Sequence, residues 1–239
     1  MTKYILITGA SRGIGKAIAT HLASKGHSLI LTCRSSIEEL NSLAKHLSDT
    51  YHISCICHKC DMSDYLQVQK LFDIIPRPEI IINNAGISHI GLLQDMTPEE
   101  WNQVISTNLS AAFYTSKFGI PGMLSAGSGR ILNISSVWGN VGASMEVAYS
   151  ASKGGLNTFT KALAKELAPS HIAVNALACG LVDTEMNAHL SAEDLNALFD
   201  EIPYGSCVSP EDVAIAAGKI LEMPTYFTGQ ILTMDGGWT

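Results

Sequence analysis

No stretch of this chain is apolar for the ~20 residues that a bilayer-spanning helix requires. No cluster of Lys and Arg occurs either, and with a formal net charge of -7 the chain repels nucleic-acid phosphates overall, which argues against a nucleic-acid partner. A Pro/Ser-rich linker, a charge block, a low-complexity tract and an internal repeat are all missing. The 239 residues are therefore read as one domain spanning 1–239, long enough to bury a full core. Signal-peptide architecture is lacking as well: Met1-Thr2-Lys3 passes directly into Tyr4-Ile5-Leu6-Ile7. The expected address is the cytoplasm.

Separated C-x-x-C knuckles of the zinc-binding kind are absent too, although the chain has six cysteines. Cys55, Cys57 and Cys60 lie close to His52 and His58, and the segment 52–58 reads as a strand. Alternation along it sends Cys55 and Cys57 to one face and His52 and His58 to the other. No metal is expected, and the thiols are read as small apolar core residues in a reducing compartment.

What the chain does have is an alternation of short apolar runs with helical patterns. Strands are expected at 3–8, 28–33, 52–58, 79–82, 130–134, 172–177 and 229–234. A capping box, Ser36-x-x-Glu39, opens a helix through about 47, and Ser63 is expected to cap a helix through 72. Thr97, Pro98 and Glu100 open a long helix that contains Asn108, an unfavourable residue at mid-helix. A helix carrying Tyr149 runs to about 167, and Ser209-Pro210-Glu211-Asp212 opens the last one. The polar, acidic segment 185–206 reads as a mobile cover. This alternation predicts an α/β fold, a doubly wound parallel sheet with helices on both faces.

Ligands of such sheets bind beyond the carboxyl ends of the strands. Residues 8–15, Arg34, Asp61, 83–86, Ser136 and 179–184 all follow expected strands and would share that edge. The turn Thr8-Gly9-Ala10-Ser11-Arg12-Gly13-Ile14-Gly15 leads into a helix, where free backbone N–H groups can receive a pyrophosphate. Glycines also serve ordinary turns, so the motif alone decides nothing. At the end of the second strand the sequence is Cys33-Arg34, a cation where an acid would bind the ribose of NAD. Arg34 is either solvated or, with Arg12, grips a 2'-phosphate, which points to NADPH over NADH.

Tyr149 and Lys153 are four apart and therefore share a helix face. A neighbouring ammonium lowers a phenol's pKa, and the tyrosine can then act as a general acid/base on an alcohol or ketone. Ser136 can hold the same oxygen from the other side.

Taken together, TGASRGIG at 8–15, NNAG at 83–86, Asn108, NISS at 133–136, YSASK at 149–153 and MDGGW near the end resemble the short-chain dehydrogenase/reductase family over the whole chain. The resemblance implies a Rossmann-like reductase and a catalytic set of Asn108, Ser136, Tyr149 and Lys153. Tyr149 would protonate the carbonyl, Lys153 would lower its pKa and hold the ribose, Ser136 would orient the carbonyl, and Asn108 would anchor a relay water. It also implies cofactor contacts from Gly9, Ser11, Arg12, Gly13, Ile14 and Gly15, with Asp61 at the adenine. Asn83, Asn84, Ala85 and Gly86 would meet the ribose side and Thr184 the nicotinamide amide, with Gly180 and Val182 also at the cofactor. Family members are usually dimers or tetramers. Where the family usually has Pro-Gly, this chain has Cys179-Gly180, which frees φ and restores an N–H.

Within the family the chain resembles 3-oxoacyl-ACP reductases. Those typically offer arginines to acidic acyl carrier protein near Gly127 and Ser170, and neither position is basic here. The runs 138–154 and 186–195 are also similar to the elongation factor P 5-aminopentanone reductases, whose substrate bears an amine. Glu146 is then either the partner of that ammonium or a solvated loop carboxylate. A non-catalytic dinucleotide sensor would show damage at Asn108, Ser136, Tyr149 or Lys153, and all four are intact. An NAD-linked dehydrogenase would be favoured by an acid at Cys33.

Overall fold

The computed structural model describes residues 3–188 and 190–239. Strands and helices alternate from the start: β1 Tyr4–Ile7, α1 Gly13–Ser24, β2 Ser28–Cys33, α2 Ile37–Tyr51, β3 Cys55–Lys59, α3 Tyr65–Ile74 and β4 Pro78–Asn83. There follow α4 Pro98–Ile105, α5 Ala111–Ala126, β5 Gly129–Ser136, the short α6 Trp138–Val141, α7 Val147–Leu167 and β6 Ile172–Cys179. The chain closes with α8 Ala192–Glu201, α9 Pro210–Glu222 and β7 Ile231–Met234. All seven strands are parallel and lie in the order β3-β2-β1-β4-β5-β6-β7. The connection reverses direction between β1 and β4, which opens a crevice at their carboxyl ends.

Both faces of the sheet are covered, so its central strands are apolar on both sides. Ile5, Ile7, Leu29, Leu31, Leu132 and Ile134 pack on one face with α1, α2 and α9. Leu6, Ile30, Ile81, Ile131 and Val174 pack on the other with α3, α5 and α7. Burial of each large aliphatic side chain contributes about 1.5–3 kcal/mol. β5 departs from this pattern, because Asn133 and Ser135 are buried and polar on the side facing α7.

Four local expectations need correction. Ser36 precedes α2, but its backbone is non-extended (φ -83, ψ 58) and its side chain accepts no capping bond, so the box does not form. The cap of α3 is Asp64, whose carboxylate receives Leu66 N and Gln67 N, while Ser63 donates to Asp61 instead. The long helix expected from Thr97 is interrupted by a π-helical turn at Ser106–Ser110, and Asn108 sits inside it. Such a turn re-aims its side chains and is frequent at functional sites. His52 is not in β3 at all. It closes α2 in the left-handed conformation, φ 55, and the strand begins three residues later.

Cys55 and Cys57 face the core packed by α2, as alternation requires. Burial raises the Cys55 thiol to about 12 and the Cys57 and Cys60 thiols to about 11. All six cysteines are free, and among the described residues no group of three or more His, Cys, Asp or Glu is placed to hold a metal. No helix among them is long and apolar enough to cross a membrane.

The contrast between two caps gives a direct check. Thr97 forms a complete capping box with Glu100, so Thr97→Ala should lower stability by about 1 kcal/mol. Ser36→Ala should leave it unchanged. Urea unfolding of the two variants measures both.

Candidate active site

A cavity of about 960 Å³ opens at the carboxyl edge of the sheet. Of the residues singled out in the sequence, Gly9, Ser11, Arg12, Gly13, Ile14, Arg34, Asp61, Ala85 and Gly86 line it. So do Ser136, Glu146, Tyr149, Lys153, Gly180, Val182 and Thr184. Gly15, Asn83 and Asn108 do not, and each has another task.

The glycine loop is shaped by close approach. Gly9 has φ +65, and a Cβ there would stand 3.0 Å from Ala85 Cα. A Cβ on Gly15 would collide with the Gly9 carbonyl and the Asn84 amide, so this glycine packs the turn. Asn84 clamps the loop by donating from Nδ2 to the carbonyls of Thr8 and Gly9, each at 3.0 Å. Thr8 Oγ1 in turn receives Asn84 N and Ala85 N at 3.0 Å. Thr8 stood in the glycine motif without a role and Asn84 in the stretch expected on the ribose side; only the tertiary contacts show the clamp they form.

Asn83 was expected on the ribose side. Instead its Nδ2 donates to Asn133 Oδ1 at 2.8 Å and its Oδ1 receives Thr115 Oγ1 at 2.6 Å, all within the core. The reason is strand alternation: Asn83 points into the α5 side of the sheet and Asn84 leaves the strand toward the loop.

Asn108 is buried, and its amide brackets Ile87, accepting from Ile87 N at 2.8 Å and donating to Ile87 O at 2.9 Å. It also donates to Ser152 Oγ at 3.0 Å, and Ser152 donates to the Tyr149 carbonyl at 2.7 Å. It thus ties the loop after β4 to α7, one turn from Tyr149 and Lys153.

Lys153 is buried and donates to the Ile134 carbonyl at 2.8 Å, with its ammonium 5.6 Å from the centroid of the Tyr149 ring. Burial lowers its pKa to about 8. The phenol of Tyr149 does not show the expected lowering. Burial raises its pKa, against a lowering by the hydrogen bond with Ser136, and Glu146 and Cys179 raise it further. The ammonium lies against the ring and the Ile134 carbonyl, which accounts for its weak hold on the phenol. The thiol of Cys179, buried beside Lys153, is likewise raised to about 12.

At the outer end Arg12 pairs with Glu185 at 2.9 Å, both largely exposed, so the glycine loop touches the start of the segment 185–206. Glu185–Asn187 forms a 3-10 turn ahead of α8. Of the segment 186–195, His189 lies outside the described residues. Arg34 is exposed at the end of β2. Asp61 accepts from the amide and the hydroxyl of Ser63 at 2.9 and 2.6 Å. Trp138 and Trp238, which stood in quoted sequence runs without an assigned role, line the cavity with centroids 4.7 Å apart.

A family profile described as short chain dehydrogenase matches residues 3–195. The chain belongs to that family. It is an NAD(P)-dependent oxidoreductase. It is 39% identical to the uncharacterized oxidoreductase YmfI of Bacillus subtilis, over 100% of this chain and 99% of the relative. It is 37% identical to the 3-oxoacyl-[acyl-carrier-protein] reductase FabG of Aquifex aeolicus, over 98% and 96% of the two chains. Among solved structures, a variant of the actinorhodin polyketide ketoreductase with NADPH superposes with a TM-score of 0.92 at 32% identity, covering 99% of this chain and 97% of that one. Short-chain dehydrogenases of the ketoreductase kind are therefore its relatives in both sequence and structure.

The residues fit a dinucleotide. The cradle of Gly9, Gly13 and Gly86 is one that side chains would fill, since Cβ atoms there would stand 3.0, 3.4 and 3.4 Å from Ala85, Thr184 and Asn108 respectively. The amino end of the twelve-residue helix α1 opens beside it. Asn83→Ala should cost about 1–3 kcal/mol in urea unfolding, because it leaves the buried Asn133 Oδ1 without its donor. Its dinucleotide KM should stay near the parent value. Asn84→Ala should do the reverse and raise that KM.

Proposed function

We propose that this protein reduces a ketone to a secondary alcohol with NADPH, and that the ketone is a 3-oxoacyl group on a carrier thioester. The observation that carries the reading is the Tyr149 phenol bonded to the Ser136 hydroxyl at the cavity wall, with the Lys153 ammonium against its ring. A bound nicotinamide dinucleotide supplies hydride to the carbonyl carbon. Tyr149, kept protonated at neutral pH because burial raises its pKa, gives its proton to the carbonyl oxygen. Ser136 donates to the same oxygen and fixes it. Lys153, charged below about pH 8, stabilises the phenolate that remains.

The turn 9–14, shaped by Thr8 and Asn84, would hold the pyrophosphate, and Asp61 the adenine. Arg34 faces the cavity beside Cys33 with no acid in the ribose position, which supports the phosphorylated cofactor. A 2'-phosphate would also draw Arg12, in competition with Glu185. The similarity to FabG proteins and to a ketoreductase solved with NADPH supports the same assignment.

A second reading, reduction of an amine-bearing ketone on modified elongation factor P, rests on charge. Glu146 and Asp194 line the cavity, and the lining cations among the described residues are Arg12, Arg34 and the buried Lys153. Moreover, Gly127 and Ser170 precede β5 and β6. They lie at the edge of the sheet opposite the cavity, so a carrier feeding this cavity would not meet them on the same subunit. NADPH consumption with an acetoacetyl thioester and a small amino-ketone in parallel separates the two readings. Preference for the amino-ketone, weakened by Glu146→Gln, would replace the thioester.

Loss of the general acid in Tyr149→Phe should cut kcat by about a hundredfold to ten-thousandfold, with NADPH binding retained by fluorescence titration. Parental turnover would refute the assignment. The parent's rate should decline above about pH 8 as Lys153 loses its charge, and Lys153→Met should lack that limb. Arg34→Ala should raise the NADPH KM about tenfold to a hundredfold, the worth of one charge-assisted hydrogen bond. The NADH KM should not change.

A further inference from the structure

Asn157 lies one turn beyond Lys153 on the same buried face of α7. It does not line the cavity, yet it joins the parts that do. Its Oδ1 receives the hydroxyl of Ser135 at 2.6 Å, and its Nδ2 donates to Asn140 Oδ1 at 2.9 Å. Asn140 Nδ2 continues to Thr233 Oγ1 at 3.4 Å. Two amides therefore link β5, α7, α6 and β7.

The ends of this chain of bonds sit beside functional groups. Ser135 is the neighbour of Ser136. Asn140 belongs to α6, whose first residue is Trp138, and Trp138 N donates to Ser136 Oγ at 3.2 Å. Thr233 precedes the tail that carries Trp238, and the two indoles meet edge-on at 61°. The α6 turn is pressed onto α7 at Lys153 itself, since a Cβ on Gly139 would stand 2.7 Å from the Lys153 carbonyl carbon. The spacing between the Ser136–Tyr149 pair and the indole wall is thus held by amide bonds and by a contact that admits only glycine.

We propose that Asn157 is a positioning residue, and that the chain Ser135–Asn157–Asn140–Thr233 sets the place of the Trp138–Trp238 wall relative to the reacting carbonyl. The wall then decides how large a group beside the carbonyl is accepted. This rests on the reductase reading for its kinetic consequence, but not for its geometric one. Asparagine suits the position because it accepts and donates in one plane, and leucine of similar size would do neither.

The test uses Asn140→Ala, which breaks the chain at an exposed residue, together with Asn157→Leu and the double variant. The first readout is the exciton couplet that two close indoles give in circular dichroism, identified by its loss in Trp238→Phe. The second is KM against kcat for a bulky and a small ketone. Both single variants should diminish the couplet. They should raise the KM ratio of bulky to small ketone by about two- to tenfold, the range for one hydrogen bond. NADPH KM should hold, and the double variant should be less than additive.

An unchanged couplet and ratio in Asn140→Ala, whatever the stability of Asn157→Leu, would overturn the proposal. Should the parent protein reduce no ketone, the function proposed above fails, and the couplet alone then decides this one.

Discussion

The seam between α7 and β5 is the constraint on which the site depends. Three buried bonds cross it: Lys153 Nζ to the Ile134 carbonyl at 2.8 Å, Ser135 Oγ to Asn157 Oδ1 at 2.6 Å, and Asn133 Nδ2 to Thr160 Oγ1 at 2.8 Å. Residues 153, 157 and 160 share a helix face, and residues 133 and 135 share a strand face. Sliding one element against the other would strip the Lys153 ammonium, the Ser135 hydroxyl and the Asn133 amide of these partners while buried, at about 1–3 kcal/mol each. Apolar packing would tolerate several registers where this seam tolerates one. Tyr149 is placed against Ser136 as a result.

The same burial sets the chemistry. Desolvation lowers the Lys153 ammonium to about 8 and raises the Tyr149 phenol. The phenol is therefore a proton donor at neutral pH, and the lysine is near the point where it can lose its charge. By contrast, the exposed Arg12–Glu185 pair that joins the glycine loop to the turn Glu185–Asn187 adds little stability, because water screens it. Strength is concentrated where groups are buried, and the openings of the cavity are held lightly.

Much of this was legible in the residue order. The strand–helix alternation, the glycine turn, the cap at Thr97 and the Tyr149/Lys153 spacing are local patterns, and each recurs in the structure at about the expected place. The failures have local causes as well. Ser36 and Ser63 have the residue type of a cap but not the backbone angles or the free partner. Asn83 and Asn84 are adjacent and chemically identical. Which of them enters the loop depends on where β4 ends, and a shift of one residue reverses the answer. Asn108 was marked as out of place in a helix, and the π turn at Ser106–Ser110 shows how the backbone accommodates it.

The sequence by itself determined the sheet, the edge on which the site forms and the residue types gathered there, because hydrophobic period, turn chemistry and capping act over a few neighbours. Tertiary structure alone decided that Lys153 bonds the Ile134 carbonyl and lies against the Tyr149 ring rather than at its hydroxyl. It alone brought Trp238 from the end of the chain against Trp138, and Asn157 between Ser135 and Asn140. Apart from the Lys153–Tyr149 contact within one helix, they join residues 17 to 100 positions apart, and their energies depend on burial that exists only after the elements have packed.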